Sequence, residues 1–569
     1  MGTPGYSIVR FRRRYYVRWN QYDSYFEGLG AKIVASIPAD PEAYQQWLES
    51  MRAEYAALEC ALEKGVYEIR DGCKPDFSLF REFEVLPSEF LELNVELVNN
   101  YVYIINLDCE ILTMQHGIHW KLGNIPRHDN LWLRSITDST YTNACTLSLD
   151  LCPEEHMAAP ALELPGPDRA IRYNFQIVSP NVNIREARKV FLTSVLAITL
   201  IQYEHEILSF GREWSPDSFP FRELAFALVS IASGRAGFHS FPAQSCNPRS
   251  CPADYCKSKH LPRSPGWLDE QWAGDKAPLL EFGSMSHLPG DPPGVSPAET
   301  MYWLGDVLVS LELVTDGAAI TKAVTWGIEQ GHTNFQIVIL SLFKVKFAEV
   351  SFVDGDPFVK VSNPIYLSPI HAHHCMSTHP RNRREAKPGM WRRLRSCNRI
   401  LSSYYSGTRR TLQKLFPGFA ALVNFFEIAA NRHAVSKTSG IFPVELYHQI
   451  IDFVDYDTWK TCLAVSTEFR SYCLSKYRLD DRTRIVGGPF ICRTGNRGEN
   501  RESSFNFENM QTGEILPMTD YFSHRVLDTR ELNWMPLIGS DRKALMSNVV
   551  VQFEPAKDAP VEADSDDEP

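Results

Sequence analysis

Residues 442–472 read FPVELYHQIIDFVDYDTWKTCLAVSTEFRSY, and this stretch predicts three short helices in succession. The first helix begins with Pro443, because the first helical turn tolerates a residue that lacks an N–H group. Glu445 adds negative charge to the same turn, where the helix dipole favours it. The apolar side chains then recur at helical spacing and form one face: Leu446, Ile450, Phe453 and Val454.

The breaks between the helices are equally visible in the sequence. Asp455 and Asp457 end the first helix and offer side-chain oxygens that can cap the second. Ser466 can cap the third helix in the same way. Apolar residues fill the second and third helices: Trp459, Leu463, Val465, Phe469, Tyr472 and Cys473.

The order Phe-Pro-x-Glu-Leu-x-x-x-Ile-x-x-x-Val, followed by Val-Ser-x-x-Phe-Arg, resembles an F-box at about residues 441–475 of the 569. The resemblance implies that the three helices dock on the linker subunit of an SCF-type ubiquitin ligase and, through it, on the cullin. The remainder of the chain would then hold a substrate protein. Phe442 stands where Leu is usual in the family and Trp459 where Leu or Ile is usual, and both keep the position apolar.

The resemblance also implies which residues contact the linker subunit: Phe442, Pro443, Glu445, Leu446, Ile450, Val454, Trp459, Leu463, Val465, Ser466, Phe469 and Arg470. A helical hairpin inside a larger core would need the same apolar spacing, although it would explain neither the Pro-x-Glu-Leu start nor the Val-Ser-x-x-Phe-Arg end. The two alternatives differ in exposure. An adaptor requires Pro443 and at least one of Leu446 and Ile450 to be solvent-exposed, whereas an internal scaffold would cover all three.

The bulk properties set broad limits on function. Hydrophobic content of 44% and charged content of 22% are typical of globular chains, and 569 residues suggest about three domains. A formal net charge of −11 argues against a general nucleic-acid binder. The first residues, MGTPGY, predict neither a signal peptide nor myristoylation, and the apolar run 190–203 is too short to span a bilayer. We therefore expect a soluble cytoplasmic or nuclear protein without membrane or nucleic-acid partners.

The order of predicted elements favours an α+β multidomain fold. Its predicted parts are an α+β domain (1–152), a mixed helix/strand domain (169–368) with a long irregular insertion (240–300), a basic disordered linker (371–410), a helix plus the F-box (411–484), a small β-rich region (485–556) and an acidic disordered tail (557–569).

Local patterns place elements inside these parts. Residues 6–18 predict a hairpin that turns near Arg13–Arg14, with its arginines on the solvent side rather than on an RNA-binding face. Further strands are predicted at 101–107, 110–114, 118–122, 335–353 and 358–361. Helices are predicted at 41–63, 186–211, 221–233, 298–313, 318–329 and 412–432.

Two clusters of metal-binding residue types leave a metal site as an alternative. The first comprises Cys246, Cys251, Cys256 and His260, and the second comprises His371, His373, His374, Cys375 and His379. Zinc takes four such ligands, but the spacing of the first cluster departs from the common Cys-x2-Cys pattern. We expect metal analysis to find well under one zinc per chain, and we expect no other cofactor.

Motifs of the common enzyme classes are missing from the sequence. There is no G-x-S-x-G, no Walker loop and no G-x-G-x-x-G after a strand, and Ser209 stands where a second zinc-protease histidine would follow His205-Glu206. Removal of Met1 would expose Gly2, which cannot serve as an N-terminal nucleophile. The sequence therefore favours a non-enzymatic F-box adaptor. The alternatives are an interaction scaffold whose helices are internal core and, less favoured, an unrecognised hydrolase.

Overall fold

The computed structural model describes residues 2–89, 91, 101–115, 117–138, 145–148, 150–158, 169–240, 287–289, 294–372, 409–435, 443–481, 483–494, 500–511, 513, 515–517 and 549–552. The cysteine cluster at 246–260, the histidines from 373 to 379, most of the basic segment and the acidic tail lie outside these residues, as does Phe442. The described chain mixes α-helices with several β-sheets, in agreement with the predicted α+β class.

The helices, numbered here in chain order, are α1 (Ala31–Ser36), α2 (Pro41–Arg70), α3 (Leu131–Arg134), α4 (Ala187–Gln202), α5 (Glu204–Phe210), α6 (Phe219–Ser233), α7 (Gly317–Glu329), α8 (Arg409–Leu415), α9 (Pro417–Val435), α10 (Val444–Phe453), α11 (Tyr456–Cys462) and α12 (Thr467–Ser475). The strands are β1 (Gly5–Phe11), β2 (Arg14–Asn20), β3 (Tyr101–Asn106), β4 (Ile111–Met114), β5 (Ile118–Lys121), β6 (Ile136–Asp138), β7 (Cys145–Leu147), β8 (Asn174–Val178), β9 (Gly237–Ser240), β10 (Met301–Leu304), β11 (Val307–Leu311), β12 (Phe335–Leu340), β13 (Lys344–Val353), β14 (Asp356–Ser362), β15 (Ile365–Tyr366), β16 (Thr483–Thr494), β17 (Asn500–Asn509), β18 (Ile515–Pro517) and β19 (Val549–Gln552).

The first sheet has the strand order β2-β1-β3-β4-β5 and is buried on both faces. Successive residues of a strand point to opposite faces, and the two faces of β1 accordingly join different cores. Val9 packs with α1 and α2, while Ile8 packs with the helices α4–α6. In β3 the same division separates Ile105 from Ile104.

The second sheet has the order β10-β11-β12-β13-β14-β8, and β15 pairs with β13. Strand β12 runs parallel to β11, and α7 connects the two. Helix α7 covers one face through Ile337 and Ile339, whereas Val338 and Leu340 point toward the central helices. Like the first sheet, this one lies between two helical layers.

Helices α4, α5, α6 and α9 fill the space between the two sheets and form one continuous core with both. Helices in such a position are rich in apolar residues, since most of their surface is covered by neighbouring elements. In α6 every residue from Phe219 to Ala232 is buried. The core therefore runs without a break across the predicted division between residues 152 and 169.

The helix predicted at 298–313 is wrong, because this segment forms the antiparallel strands β10 and β11. Gly305 has a φ of +65° and, with Asp306, makes the two-residue turn that joins Leu304 to Val307. A glycine in the first central position suits a hairpin turn of this length. The apolar residues that suggested a helix belong to β11, whose five residues are all buried.

The helix predicted at 412–432 is two helices, α8 and α9, which meet at Phe416–Pro417. Proline lacks an N–H group and favours the first turn of a new helix, so the interruption falls at Pro417.

The predicted N-terminal hairpin is present as β1 and β2, with its turn at Arg12 and Arg13. These two residues have positive φ values of 45° and 67°, which is the backbone of a type I′ turn. The Asp108 carboxylate accepts hydrogen bonds from the backbone N–H groups of Arg12 (2.7 Å) and Arg13 (2.9 Å). A side chain from the β3–β4 connection thus holds a turn that lacks glycine.

The prediction that the hairpin arginines lie on the solvent side is wrong for Arg10 and Arg14, which are buried. The guanidinium of Arg10 lies 3.2 Å from an Asp108 oxygen and 3.4 Å from a Glu213 oxygen. Arg14 lies 3.4 Å from an oxygen of Glu59 on α2. Buried charges need partners, and these carboxylates come from distant parts of the chain that the local pattern could not indicate.

The C-terminal strands form a small sheet, β16-β17-β18, which packs on α4 through Phe191 and Phe505 with ring centroids 5.8 Å apart. Strand β19 pairs instead with β9, at the end of α6. None of the described helices combines the length and the apolar surface that crossing a bilayer requires.

Candidate functional site

Residues 443–475 fold into the three-helix unit of α10, α11 and α12, with the breaks that the sequence predicts. The Asp455 carboxylate caps α11 by accepting a hydrogen bond from the Thr458 N–H at 2.8 Å. The Ser466 hydroxyl caps α12 by accepting from the Phe469 N–H at 3.2 Å. Each cap satisfies a backbone donor that the helix leaves unpaired.

One side of the unit is part of the main core. Trp459 is 2% exposed and stacks on Tyr456 at 5.8 Å between ring centroids, and the Tyr477 ring meets it edge-on at 5.6 Å. Ile451 of α10 and Cys473 of α12 are buried in the same core. The unit is therefore continuous with the body of the protein on this side.

Polar contacts add to this attachment. The Arg470 side chain is buried and donates from Nε to the Asn431 side-chain oxygen on α9 at 2.8 Å. It also donates from Nη1 to the Leu463 carbonyl at 3.2 Å, which ties α12 to the end of α11. The Lys460 ammonium donates to the Arg235 carbonyl at the end of α6, at 2.8 Å. These contacts fix the orientation of the unit relative to α6 and α9.

Arg478 holds the C-terminal end of α10. Its guanidinium donates to the carbonyls of Ile451 (2.8 Å), Asp452 (2.9 Å) and Val454 (2.6 Å). The last carbonyls of a helix have no partner within it, and a cation near this end also suits the helix dipole. Burial lowers the pKa of Arg478, yet a guanidinium stays charged at any physiological pH.

A second polar cluster lies beside this clamp. The Asp452 carboxylate accepts hydrogen bonds from the Tyr472 hydroxyl (2.7 Å) and the Lys476 ammonium (2.8 Å). Partial burial acts to raise the pKa of Asp452, but the bonds from Lys476 and Tyr472 outweigh it and hold the pKa below its usual range. The cluster links α10 to the end of α12.

The opposite side of α10 is apolar and exposed. Pro443, Leu446, Ile450 and Phe453 follow one another at intervals of three, four and three residues, which places them along one side of the helix. Leu446 is 45% exposed, Ile450 51% and Phe453 89%, and Pro443 is also exposed. We call these four residues the outer stripe. Val465, in the connection between α11 and α12, adds a further exposed apolar side chain.

The predicted contact residues divide into three groups in the described chain. The exposed ones are Pro443, Glu445, Leu446, Ile450 and Val465, the half-buried ones are Val454, Leu463, Ser466 and Phe469, and the buried ones are Trp459 and Arg470. A partner that approaches the unit as it stands would meet only the first two groups. Trp459 and Arg470 lie beneath this surface and support it from within the core.

Two residues important to this site were missing from the predicted set. Phe453 belongs to the outer stripe, and its position three residues after Ile450 was a sufficient signal. No local sequence pattern indicates Arg478, because it reaches the carbonyls at the end of α10 only where the chain passes that end again after α12.

Comparison of the chain with protein-family models, with curated proteins and with solved structures finds no match. The function of the three-helix unit therefore has to be inferred from its sequence and geometry. Within the described ranges, no group of three or more His, Cys, Asp or Glu residues is placed to hold a metal ion. Burial raises the pKa of the Cys473 thiol to about 12, and the neighbouring Cys462 adds to this, so both are inert core residues at neutral pH.

Proposed function

We propose that the protein is a non-enzymatic F-box adaptor that recruits a target protein to an SCF-type ubiquitin ligase. The observation that carries this proposal is the outer stripe, which leaves apolar side chains of α10 exposed on a unit whose other side is anchored. Its residues include Pro443, Leu446 and Ile450, which belong to the sequence pattern that resembles an F-box. In this proposal they contact the linker subunit and, through it, bring the chain to the cullin.

The energetics favour a partner on this stripe. Burying a Leu or Ile side chain contributes roughly 1.5–3 kcal/mol, so a partner that covered both half-exposed side chains would gain from their burial. Contiguous exposed apolar surface on a folded protein commonly marks an interaction site. The exposure of Leu446 and Ile450 also counts against the internal-scaffold alternative, in which a covering layer would bury them.

The buried side of the three-helix unit, which is bonded to the body of the protein, suits the presentation of a substrate by an adaptor. An adaptor must present its substrate at a defined position relative to the ligase, so a rigid attachment is an advantage. Arg470 and Lys460 bond the unit to α9 and α6, the central helices on which both large sheets pack. We propose that the body before α10 holds the substrate and that the protein acts in the cytoplasm, the nucleus or both.

Affinity purification from the native cell tests the proposal. The linker subunit and the cullin should co-purify with the wild-type chain and should be lost from the variant Leu446→Ala/Ile450→Ala. Ile428→Ala is a matched control, because Ile428 is a similarly exposed apolar residue on α9, outside the unit. Equal recovery of the linker subunit with a folded double variant would refute the assignment.

A further inference from the structure

A cleft of about 580 Å³ lies at one end of the second sheet, away from the three-helix unit. The segment that leads into β8, the loop before α7 and the β12–β13 turn form its walls, and residues 211–212 after α5 border it. Volumes of this size are typical of sites for small organic ligands. None of its lining residues belongs to the outer stripe, so the cleft is a separate feature.

The cleft is positively charged. Arg169, Arg212, Lys344 and Lys346 line it, together with His371. Asp316 is the single carboxylate among the lining residues, and it is occupied as the N-cap of α7, where it accepts from the Ala319 N–H at 2.9 Å. A concentration of cations in a chain of net charge −11 creates a local field that attracts anions.

Arg212 contributes an independent observation, an unpaired donor on a residue that lines the cleft. Its Nη1 atom is buried and has no hydrogen-bond partner in the described part of the chain. A guanidinium nitrogen always carries donors, and a buried donor without an acceptor costs free energy. A phosphate or carboxylate in the cleft would supply oxygens of the geometry that guanidinium groups prefer.

Aromatic side chains form part of the same walls. Phe175 and Tyr366 are each substantially exposed, and Phe343, in the β12–β13 turn, also lines the cleft. The Lys344 ammonium lies 4.7 Å from the centroid of the Tyr366 ring. A ligand that carried a flat ring next to its charge would contact both the cationic and the aromatic residues of the cleft.

We propose that this cleft binds a small organic anion in which a phosphate group is attached to a ring system. Arg212, Lys344 and Arg169 hold the anionic group, and Phe175 and Tyr366 contact the ring. The proposal does not depend on the F-box assignment, because it rests on residues of the body alone.

Titration calorimetry on the full chain, with AMP and phenyl phosphate as probes, tests the proposal at low and moderate salt. Adenosine and inorganic phosphate are the comparison arms, since each offers one half of the recognised chemistry. The variants are Lys344→Gln, which replaces a half-exposed residue and spares the fold, and Arg212→Gln/Lys344→Gln. Lys360→Gln is the matched control, because Lys360 is an exposed lysine of the same sheet that does not line the cleft.

We expect saturable binding of at least one of the two organic phosphates, weakened by added salt and weakened about tenfold or more in the double variant. Lys360→Gln and Leu446→Ala/Ile450→Ala should bind like the wild type. Absence of saturable binding, an unchanged affinity in a folded double variant, or equal affinity for inorganic phosphate or for adenosine would overturn the proposal.

Discussion

Helices α9 and α10 are both rich in apolar residues, yet the protein uses them in opposite ways. In α9 the side chains of Phe419, Leu422 and Phe426 are buried between α4, α6 and the second sheet. In α10 the buried side chain is Ile451, while Leu446 and Ile450 on the other side remain about half-exposed. An apolar helical pattern thus predicts a helix with an apolar face but does not tell what covers that face.

The difference has a direct energetic consequence. Apolar surface that is buried within the chain contributes to folding, whereas exposed apolar surface is available to a partner. Mutations on the two sides of the three-helix unit should therefore separate stability from binding.

Replacing Trp459 by Ala should have the largest effect. Truncation of a buried aromatic residue typically costs about 3–5 kcal/mol, and Trp459 connects the unit to the core through Tyr456 and Tyr477. Native-state hydrogen exchange should show lost protection throughout residues 444–475. Phe453→Ala is the control, because Phe453 is a large aromatic of the same unit that is 89% exposed. Similar protection in both variants would contradict the buried role of Trp459.

Replacing Arg478 by Met should come second. The change removes three hydrogen bonds to carbonyls at the end of α10, at a cost of about 2–3 kcal/mol since these buried or partly buried acceptors then lack a donor. Faster exchange should appear first in the last turn of α10. An unchanged exchange rate there would show that the clamp is dispensable.

Replacing Leu446 and Ile450 together by Ala should change stability little. Both residues are half-exposed, and surface substitutions usually alter stability by about 0.5 kcal/mol or less each. The unfolding midpoint in urea should thus stay close to that of the wild type. A loss of stability comparable with that of Trp459→Ala would mean that the outer stripe supports the fold and is not a surface available to a partner.

Replacing Asp452 by Asn should have the smallest effect, and it should depend on pH. The pKa of Asp452 is depressed in the folded chain, so its contribution is present above the ordinary aspartate value of about 3.9 and is lost as pH falls through the lower folded value. The difference in thermal midpoint between wild type and variant should therefore shrink on acidification below about pH 4. Asp457→Asn, at an exposed position of α11, is the control. A difference that stays constant with pH would exclude the ion-pair explanation.

Much of the three-helix unit was predictable because its signals are local. The caps at Asp455 and Ser466 and the spacing of Leu446 and Ile450 each depend on residues within one or two helical turns. Strand β3 was predictable from its β-branched and aromatic residues. In these places local propensity and the final fold agree.

The incorrect predictions have both local and long-range causes. The hairpin β10–β11 lies where the sequence predicts a helix, because its short apolar runs resemble a buried helical segment, although Gly305 marks the turn. Arg10 is buried because Glu213, some two hundred residues away, provides its counter-charge. The cationic cleft likewise joins Arg169, Arg212 and Lys344, which only the folded sheet brings together.

The affinity of the purified full-length chain for the purified SCF linker subunit tests the central claim most directly. Calorimetry or surface-based binding should give a saturable one-to-one complex with the wild-type chain. Two interface anchors that each contribute roughly 1.5–3 kcal/mol predict a Kd at least about two orders of magnitude weaker for Leu446→Ala/Ile450→Ala. Ile428→Ala should bind like the wild type. If the wild-type chain does not bind, or if the folded double variant binds with the same Kd, the protein is not an F-box adaptor.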